Sequence, residues 1–283
     1  MTDPAHTPTL RLSGDLEIPQ IGFGTYKIEP EATERAVSAA LEAGYRHIDT
    51  AQMYGNEAGV GAALASCGLR REDVWITTKL DNTNHRPADV TDSLDRSLEA
   101  LGLERVDLFL VHWPLTTIPG LDLVETWRAM EAVAADGRAR AIGVSNYQVH
   151  HLQELAAAGT TAPALHQIEV HPWLHNDEVR EYGAAHGILT AAWSPLGRGK
   201  LLEDPAIVEV ARRLDATPAQ VVLRWHVDRG DVVLPKSVHP DRMRSNLDAA
   251  GVELDAEARA VLDGLDKGEA GRQGSHPDTM TRM

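Results

Sequence analysis

Four side chains that could act together on a carbonyl group lie in the first half of the sequence. Asp49 ends the stretch RHID, Tyr54 lies in the polar segment after it, Lys79 ends VWITTK, and His112 ends VDLFLVH. A tyrosine, with an ordinary pKa of about 10, protonates an alkoxide poorly at neutral pH. A lysine cation beside it would lower that pKa, and a carboxylate would hold the cation in place. With a histidine to orient the oxygen, the set predicts a general acid aimed at a carbonyl.

Two of these residues have simpler interpretations when each is considered alone. A lysine that ends an apolar strand, such as Lys79, often extends to solvent along its methylene chain. A single strand histidine, such as His112, is more often a structural hydrogen-bonding group than a catalyst. The catalytic hypothesis therefore requires a fold that brings all four side chains together.

The segments that would position these residues alternate regularly along the chain. Eight amphipathic helical patterns alternate with eight short apolar runs, namely IPQIGFGTY, RHIDTA, DVWITTKL, VDLFLVHW, RAIGVSN, ALHQIEV, ILTAAWSPL and DVVLPKS. The runs lack strict polar alternation, which is typical of parallel strands covered on both faces. No linker divides the chain, so we expect one domain over residues 1–283, an α/β protein with a (β/α)8 TIM barrel fold.

Three further segments fall outside the eight repeated units. TPTLRLSGDLEIPQ suggests an N-terminal β-hairpin around Ser13 and Gly14 that plugs the barrel bottom, and EDPAIVEVARRL suggests an extra helix. The closing segment GRQGSHPDTMTRM is predicted to be a surface tail.

Polar or aromatic residues end seven consecutive predicted strands. The active site of such a barrel lies at the carboxyl ends of its strands. The residues there are Asp49, Lys79, His112, Ser145 with Asn146, Gln167, Trp193 with Ser194, and Lys236 with Ser237. The predicted fold therefore gathers the candidate catalytic residues and other polar groups at one rim.

The composition argues against several classes of protein. The net charge of −15 and the isoelectric point near 5.3 argue against a broad basic surface for nucleic acid or an anionic membrane. No apolar run approaches the roughly 20 residues of a membrane span, and the N-terminus lacks the apolar core of a secretory signal. The single cysteine, Cys67, excludes an internal disulfide and fits a reducing compartment. We therefore expect a cytoplasmic protein, and the complete barrel is consistent with a monomer.

The motifs GFGTYK, HIDTAQMYGNE, ITTKL, LVHWP, IGVSN, QIEVHP, WSPLGRGKL and LPKSV occur in order along the chain. Together they resemble the aldo-keto reductase superfamily, and more narrowly the bacterial 2,5-diketo-D-gluconate reductases, from about residue 18 to residue 278. The resemblance implies that Tyr54 protonates the carbonyl oxygen while hydride moves from a nicotinamide to the carbonyl carbon. It also implies that Lys79 and Asp49 tune the tyrosine and that His112 orients the substrate.

The sequence has no G-x-G-x-x-G motif between a strand and a helix, so a Rossmann site is not expected. A barrel can bind phosphate in the loops after strands seven and eight, and LPKSVHPDRMRSN places Lys236, Ser237, Arg242 and Arg244 around a helix start. The resemblance places Lys236, Ser237 and Arg242 around the 2′-phosphate of NADPH, which favours NADPH over NADH. It places Asn246 near the adenine, where the neighbouring Ser245 replaces a common glutamate.

The resemblance also assigns the rest of the cofactor site. Trp193 would stack on the nicotinamide, and Ser145, Asn146 and Gln167 would bind its carboxamide. Gly197 and Gly199 let the backbone approach the pyrophosphate closely. The full predicted set for NADPH or NADP+ is Ser145, Asn146, Gln167, Trp193, Ser194, Pro195, Leu196, Gly197, Gly199, Lys236, Ser237, Val238, Arg242 and Asn246.

The predicted substrate site is formed by residues around the same rim. Tyr26, His112 and Trp113 match substrate-side positions, as do Arg272 and His276 in the terminal segment. The loop PLTTIPGLD is short, so we expect an open pocket for small aldehydes, ketones or keto-sugars.

The sequence also contains features of two other functions. HQIEVHPWLH offers His166, Glu169, His171 and His175 to a metal-dependent barrel hydrolase. Neighbouring strand residues point to opposite faces and no H-x-H ends the first strand, so no metal is expected. A regulatory subunit that only binds nicotinamide is the second alternative, and the complete set of acid, lysine and histidine argues against it.

Overall fold

A computed structural model of the protein describes residues 8–12 and 14–283. At the N-terminal end, β1 (Thr9–Arg11) pairs with the antiparallel strand β2 (Glu17–Pro19). Leu12 and Ile18 are buried against Trp75 and other residues from the amino-terminal half of the barrel strands. The predicted hairpin is therefore present and covers the barrel bottom, although Ser13 lies outside the described residues.

Eight parallel strands form the barrel in strict chain order. They are β3 (Phe23–Gly24), β4 (His47–Asp49), β5 (Trp75–Leu80), β6 (Val106–Val111), β7 (Ala139–Ser145), β8 (Leu165–Glu169), β9 (Leu189–Trp193) and β10 (Val232–Leu234). The first and last strands meet through a parallel bridge between Ile21 and Val233, and the amide of Gly22 donates to the Val233 carbonyl at 2.9 Å. The sheet is thus closed, and the predicted (β/α)8 TIM barrel is confirmed.

In the part of the chain that the structure describes, ten α-helices surround or flank the barrel. They are α1 (Pro30–Ala43), α2 (Glu57–Ser66), α3 (Pro87–Leu101), α4 (Leu123–Ala135), α5 (Val149–Ala157), α6 (Asp177–Ala185), α7 (Pro205–Arg213), α8 (Pro218–Asp228), α9 (Pro240–Leu247) and α10 (Ala256–Asp263). The predicted extra helix is α7, while the second extra helix, α10, was not predicted individually. Proline at the first turn starts several helices, as the missing N–H and fixed φ of proline allow.

The main hydrophobic core lies between the strands and the outer helices. Strand residues such as Phe109 and Val144 are fully buried against helix residues such as Leu94 and Trp127. The strands are buried on both faces, which accounts for their continuous apolar sequences. Among residues 8–12 and 14–283, no helix has both the length and the apolar character needed to cross a membrane.

The C-terminal segment differs from the predicted surface tail. Pro277 and Met280 are buried, and the Thr117 hydroxyl donates to the Met280 carbonyl at 2.7 Å. The amide of Asn82 donates to the carbonyl of Arg282, also at 2.7 Å. The prediction was wrong because these partners come from the loops after β5 and β6, whose positions local sequence does not reveal.

Candidate active site

Asp49 and Lys79 lie side by side because β4 pairs in register with β5. The Lys79 ammonium donates to one Asp49 carboxylate oxygen and to the Thr50 carbonyl, both at 2.7 Å. The other carboxylate oxygen accepts from the amide of Gln167 at 2.7 Å. Lys79 is completely buried, which rules out the interpretation as a solvent-reaching side chain. Burial lowers the pKa of Lys79, and the adjacent carboxylate opposes that shift.

Tyr54 lies in a short 3-10 turn, Gln52–Tyr54, directly after β4. The Lys79 ammonium lies 5.1 Å from the centre of its ring, and the rings of Tyr26 and His112 lie 5.1 Å and 5.7 Å away between centres. The four candidate catalytic residues therefore do meet, together with Tyr26, at the carboxyl ends of the strands.

The pKa of Tyr54 moves in the direction opposite to the sequence prediction. Desolvation raises it well above the ordinary value, and the charge of Asp49 and the phenol of Tyr26 raise it further. The prediction was wrong because it left out the cost of burying a phenolate, which is the largest cause of the raised pKa, and the repulsion from the Asp49 carboxylate. Tyr54 therefore keeps its proton throughout the neutral range, and the group available to a ligand is a hydroxyl donor.

His112 follows the last residue of β6 and is buried. Burial, with the charge of Lys79 and the nearby His85, lowers its pKa well below the usual value, so the imidazole is neutral. Its Nδ1 atom has no hydrogen-bond partner among the described residues. The carbonyl of His112 accepts from the side-chain amide of Asn146 at 2.9 Å, which fixes the strand end.

Asn56 was missed by the sequence prediction, yet it holds the turn that carries Tyr54. This buried amide donates to the carbonyls of Thr25 and Ile28 at 3.0 and 3.1 Å, and its oxygen accepts from the Thr50 hydroxyl at 3.1 Å. Its position just after YG in the loop was the only available signal, because its partners come from the β3 and β4 loops.

The predicted nicotinamide residues form a connected hydrogen-bond network beside these four residues. Asn146 has a left-handed backbone, with φ of 63°, and its side-chain oxygen accepts from the indole N–H of Trp193 at 2.8 Å. Its amide donates to the Ser145 hydroxyl, and that hydroxyl donates to the Gln167 carbonyl at 2.9 Å. Trp193 is partly exposed.

The loop after β9 has an unusual backbone. Gly197, Arg198 and Gly199 adopt consecutive left-handed conformations, with φ of 52°, 55° and 89°, and Ser194 has φ of 48°. Pro195 is buried and Leu196 is half-buried, while Arg198 is exposed. The positive φ values of Gly197 and Gly199 are ones that glycine adopts readily, and the approach of this loop to pyrophosphate stays a prediction. Arg198 was not included in the predicted set, although its place between two glycines made it recognisable.

The predicted phosphate residues follow β10, the neighbour of β9. Lys236, Val238 and Arg242 are exposed, and neither cation has an ion-pair or hydrogen-bond partner in the described part of the chain. The Ser237 hydroxyl accepts from the amide of His239 at 3.1 Å just before α9. Asn246 is buried within α9. The two unpaired cations beside a helix start fit an anionic phosphate group.

Two of the predicted arginines, Arg244 and Arg272, are already paired with acidic residues. Arg244 pairs with Asp241 at 3.4 Å on the surface of α9. Arg272 forms a bidentate ion pair with Glu269, with hydrogen bonds of 2.6 and 2.7 Å, so its guanidinium is already occupied.

Among the predicted substrate residues, Tyr26 is 46% exposed at the mouth, whereas Trp113 is buried with Leu115 and Met280 from the terminal segment.

The histidines of HQIEVHPWLH do not converge on a metal site. His166 accepts the amide of Tyr147, while His171 bonds to Glu169. His175 instead lies beside Trp225, with ring centres 5.1 Å apart.

One group of three possible ligands does occur in the described residues, at His150, His151 and Asp278. There Nδ1 of His151 accepts the Gln148 amide at 3.0 Å, so the ring proton occupies the Nε2 atom that faces Asp278. That nitrogen is therefore unsuited to bind an ion.

The geometry of the rim agrees with a comparison across protein families. A family model described as the aldo/keto reductase family matches residues 20–267. The chain is a member of the aldo/keto reductase family. Family membership confirms the broad resemblance found in the sequence, whereas the narrower likeness to 2,5-diketo-D-gluconate reductases stays a prediction.

Individual aldo/keto reductases match the chain over almost its whole length. An aldo-keto reductase of Mycolicibacterium vanbaalenii is 44% identical over 281 residues, covering 99% of both proteins. The glyoxal reductase of Bacillus subtilis is 42% identical over 275 residues, covering 96% of this chain and 97% of that protein. A mutant of Gox0644 in complex with NADPH superposes with a TM-score of 0.92 at 36% identity, covering 98% of this chain and 99% of that chain.

Proposed function

We propose that this aldo-keto reductase reduces the carbonyl group of small aldehydes, ketones or keto-sugars with NADPH, and that Tyr54 is the general acid. The observation that carries the proposal is the meeting of Tyr54, Lys79 and His112 around one point of the rim, with Lys79 bound to Asp49. Bound NADPH supplies the hydride that the carbonyl carbon receives.

The residues around that point supply the proton and the charge balance. The Tyr54 hydroxyl and the neutral His112 imidazole both present hydrogen-bonding groups, so a carbonyl oxygen held between them is polarised. As negative charge develops on this oxygen, the proton of Tyr54 passes to it. The ammonium of Lys79, 5.1 Å from the ring centre, then stabilises the phenolate that remains. Asp49 keeps that ammonium in place.

The residues for the cofactor lie on adjacent strand ends. Trp193 would stack on the nicotinamide, and Ser145, Asn146 and Gln167 would bind its carboxamide. The Ser194–Leu196 segment, Gly197 and Gly199 would follow the pyrophosphate. Lys236, Ser237 and Arg242 would hold the adenosine 2′-phosphate, Asn246 would lie near the adenine, and Val238 would complete the cofactor site. The two unpaired cations, Lys236 and Arg242, favour NADPH over NADH, and the NADPH complex of Gox0644 supports that choice.

The substrate class is inferred from the mouth of the site. The exposed Tyr26 lies beside Tyr54, and Trp113, which follows His112, packs with Leu115 and Met280 in an apolar cluster. A small carbonyl compound with a polar end and a short carbon chain fits such a mouth. The likeness to a glyoxal reductase and the sequence resemblance to 2,5-diketo-D-gluconate reductases support small dicarbonyl compounds and keto-sugars.

The remaining properties follow from the sequence arguments. We infer one domain over residues 1–283 that acts as a monomer in the cytoplasm, without nucleic acid or membrane partners and without a metal. The net charge of −15 and the lone cysteine support this inference.

A panel of carbonyl compounds, assayed by loss of NADPH absorbance, tests the proposal. Glyoxal, methylglyoxal, a simple aldehyde and a diketo-sugar acid should be reduced, and NADH should replace NADPH poorly. Binding of NADPH without turnover of any compound would instead support the regulatory alternative. Retained activity with a strong chelator is the control against a metal contribution.

A further inference from the structure

The buried carboxylate of Glu169 has no part in the proposed chemistry, although it ends β8 at the active-site rim. One of its oxygens accepts from the backbone amide of Gln273 at 2.8 Å and from His171 at 3.1 Å. The other accepts from the backbone amide of Gly274 at 2.9 Å. Glu169 is 1% exposed and His171 is fully buried. Hydrogen bonds to an ionised carboxylate are stronger than those to a neutral acceptor, so the three donors are held firmly in place by Glu169.

The segment that Glu169 binds follows α10 and lies against the loop after β8. The Lys267 amide donates to the Trp173 carbonyl at 3.0 Å, and the Lys267 ammonium lies 3.6 Å from the centre of the Trp173 ring. Gly271 packs so closely that a Cβ atom there would lie 1.8 Å from the same carbonyl oxygen. This stretch of chain is therefore held in one position before it reaches Gln273.

Gly274 then contacts the indole proposed to stack on the nicotinamide. A Cβ atom at Gly274 would lie 2.4 Å from Cη2 of Trp193, so only glycine fits without displacing the ring. At the opposite edge, the indole N–H donates to Asn146 at 2.8 Å. The plane of Trp193 is thus fixed at both ends, by Asn146 and by the backbone that Glu169 holds.

The same segment also reaches the loop over the proposed pyrophosphate site. The Lys200 ammonium donates to the side-chain oxygen of Gln273 at 2.9 Å. Lys200 directly follows the three consecutive left-handed residues Gly197, Arg198 and Gly199. Both parts of the proposed cofactor site after β9 therefore contact one short segment, the indole through the backbone of Gly274 and the loop through the side chain of Gln273.

We propose that Glu169 is a positioning residue which, through the backbone of Gln273 and Gly274, fixes Trp193 and the loop at Gly197–Glu203 and so slows the release of NADPH. This inference rests on the proposed function, because it takes Trp193 as the stacking surface for the nicotinamide. Glu169 itself need not touch cofactor or substrate. His171 is part of the same anchor, which gives the QIEVH motif a role other than metal binding.

Glu169→Gln is the most specific test of the carboxylate, because it removes the charge and keeps the shape of the side chain. Glutamine has one accepting oxygen, so in either orientation its NH2 group faces a backbone amide of Gln273 or Gly274. In the protein without cofactor, we expect the amides of residues 271–275 to exchange hydrogen faster in Glu169→Gln than in the wild type. This measurement does not depend on an activity assay. We also expect NADPH to dissociate about tenfold faster in stopped-flow fluorescence, as for the loss of one charge-assisted hydrogen bond.

Gly274→Ala tests the contact with the indole separately. It keeps the Glu169 carboxylate and both backbone donors, but its methyl group would lie 2.4 Å from Cη2 of Trp193 and 3.0 Å from Oε2 of Glu169, so the larger adjustment falls on the indole. We expect an increase of about tenfold in the NADPH dissociation rate here as well, since the ring must shift to accept the methyl group. Exchange at Gln273 should change less than in Glu169→Gln.

Asp231→Asn is the matched control for loss of a buried carboxylate. Asp231 is 1% exposed and binds His226 at 3.0 Å and Arg180 at 2.6 Å. It precedes the amino end of β10, whereas the proposed cofactor residues Lys236 and Ser237 follow the carboxyl end of that strand. This variant should lower the melting temperature and leave NADPH release unchanged.

The proposal is overturned if Glu169→Gln releases NADPH at the wild-type rate, if exchange at 271–275 does not increase, or if Asp231→Asn accelerates release equally. Wild-type protein that does not bind NADPH would instead refute the proposed function, and this is measured first.

Discussion

The ammonium of Lys79 lies 2.7 Å from a carboxylate oxygen of Asp49, and the two side chains are 0% and 6% exposed. In this setting the attraction between the charges offsets the large cost of removing both from water. Because Gln167 and the Thr50 carbonyl take further hydrogen-bonding positions, the pair has one geometry. The distance from Lys79 to the Tyr54 ring is therefore set by the barrel itself.

Lys79→Met should strongly destabilise the fold, because it leaves the Asp49 charge buried without its partner. We expect a loss of about 3–5 kcal/mol in the free energy of unfolding, measured by urea denaturation. The double variant with Asp49→Asn should recover part of this loss, since neither charge then remains. Arg212→Met removes an exposed ion pair with Glu209 and should leave the free energy of unfolding almost unchanged. A double variant no more stable than Lys79→Met would contradict this account of the pair.

Tyr54→Phe should reduce turnover by about 10²–10⁴-fold while leaving the affinity for NADPH almost unchanged. The phenyl ring keeps the contacts with Tyr26 and His112 but has no proton to give. Tyr147→Phe is the matched control, because Tyr147 is also buried and its hydroxyl has no hydrogen-bond partner among the described residues. A Tyr54→Phe enzyme with a rate within a few fold of the wild type would remove Tyr54 from the proposed role.

The pH profile of the single-turnover reduction rate should be flat from about pH 6 to about pH 9. The reason is that the pKa of His112 is lowered and the pKa of Tyr54 is raised from their ordinary values. His112 must be neutral, and its lowered pKa extends the neutral form below the usual range. Tyr54 must be protonated, and its raised pKa extends the protonated form above the usual range. The rate should fall in acid only when His112 gains a proton and in base only when Tyr54 loses one. A bell-shaped profile with a limb near neutrality would contradict these directions.

The barrel and the convergence of Asp49, Tyr54, Lys79 and His112 could be predicted from the sequence. Apolar runs that end in polar residues define strand ends, and parallel strands bring those ends to one rim. The direction of the Tyr54 pKa could not be predicted, because it depends first on the desolvation of the phenol, which only the tertiary structure determines.

The contact of Glu169 with Gly274 joins residues 105 positions apart, and no local pattern marks it. Glu169 in QIEVH therefore suggested only a metal ligand. The C-terminal segment was mistaken for a surface tail for the same reason, since its partners Asn82 and Thr117 lie in distant loops.

Arg242→Ala should weaken NADPH binding about tenfold and leave NADH binding nearly unchanged, since the unpaired guanidinium beside the start of α9 would serve the 2′-phosphate alone. The same variant should reduce the dependence of NADPH affinity on salt, because one fewer ion pair is screened. Fluorescence titrations with both cofactors at low and at physiological ionic strength measure these effects. Arg212→Ala removes an exposed arginine from α7, already paired with Glu209, and should change neither cofactor's affinity. Equal losses for NADPH and NADH in Arg242→Ala would place the guanidinium on a part of the cofactor that both share, and the preference for NADPH would then need another source.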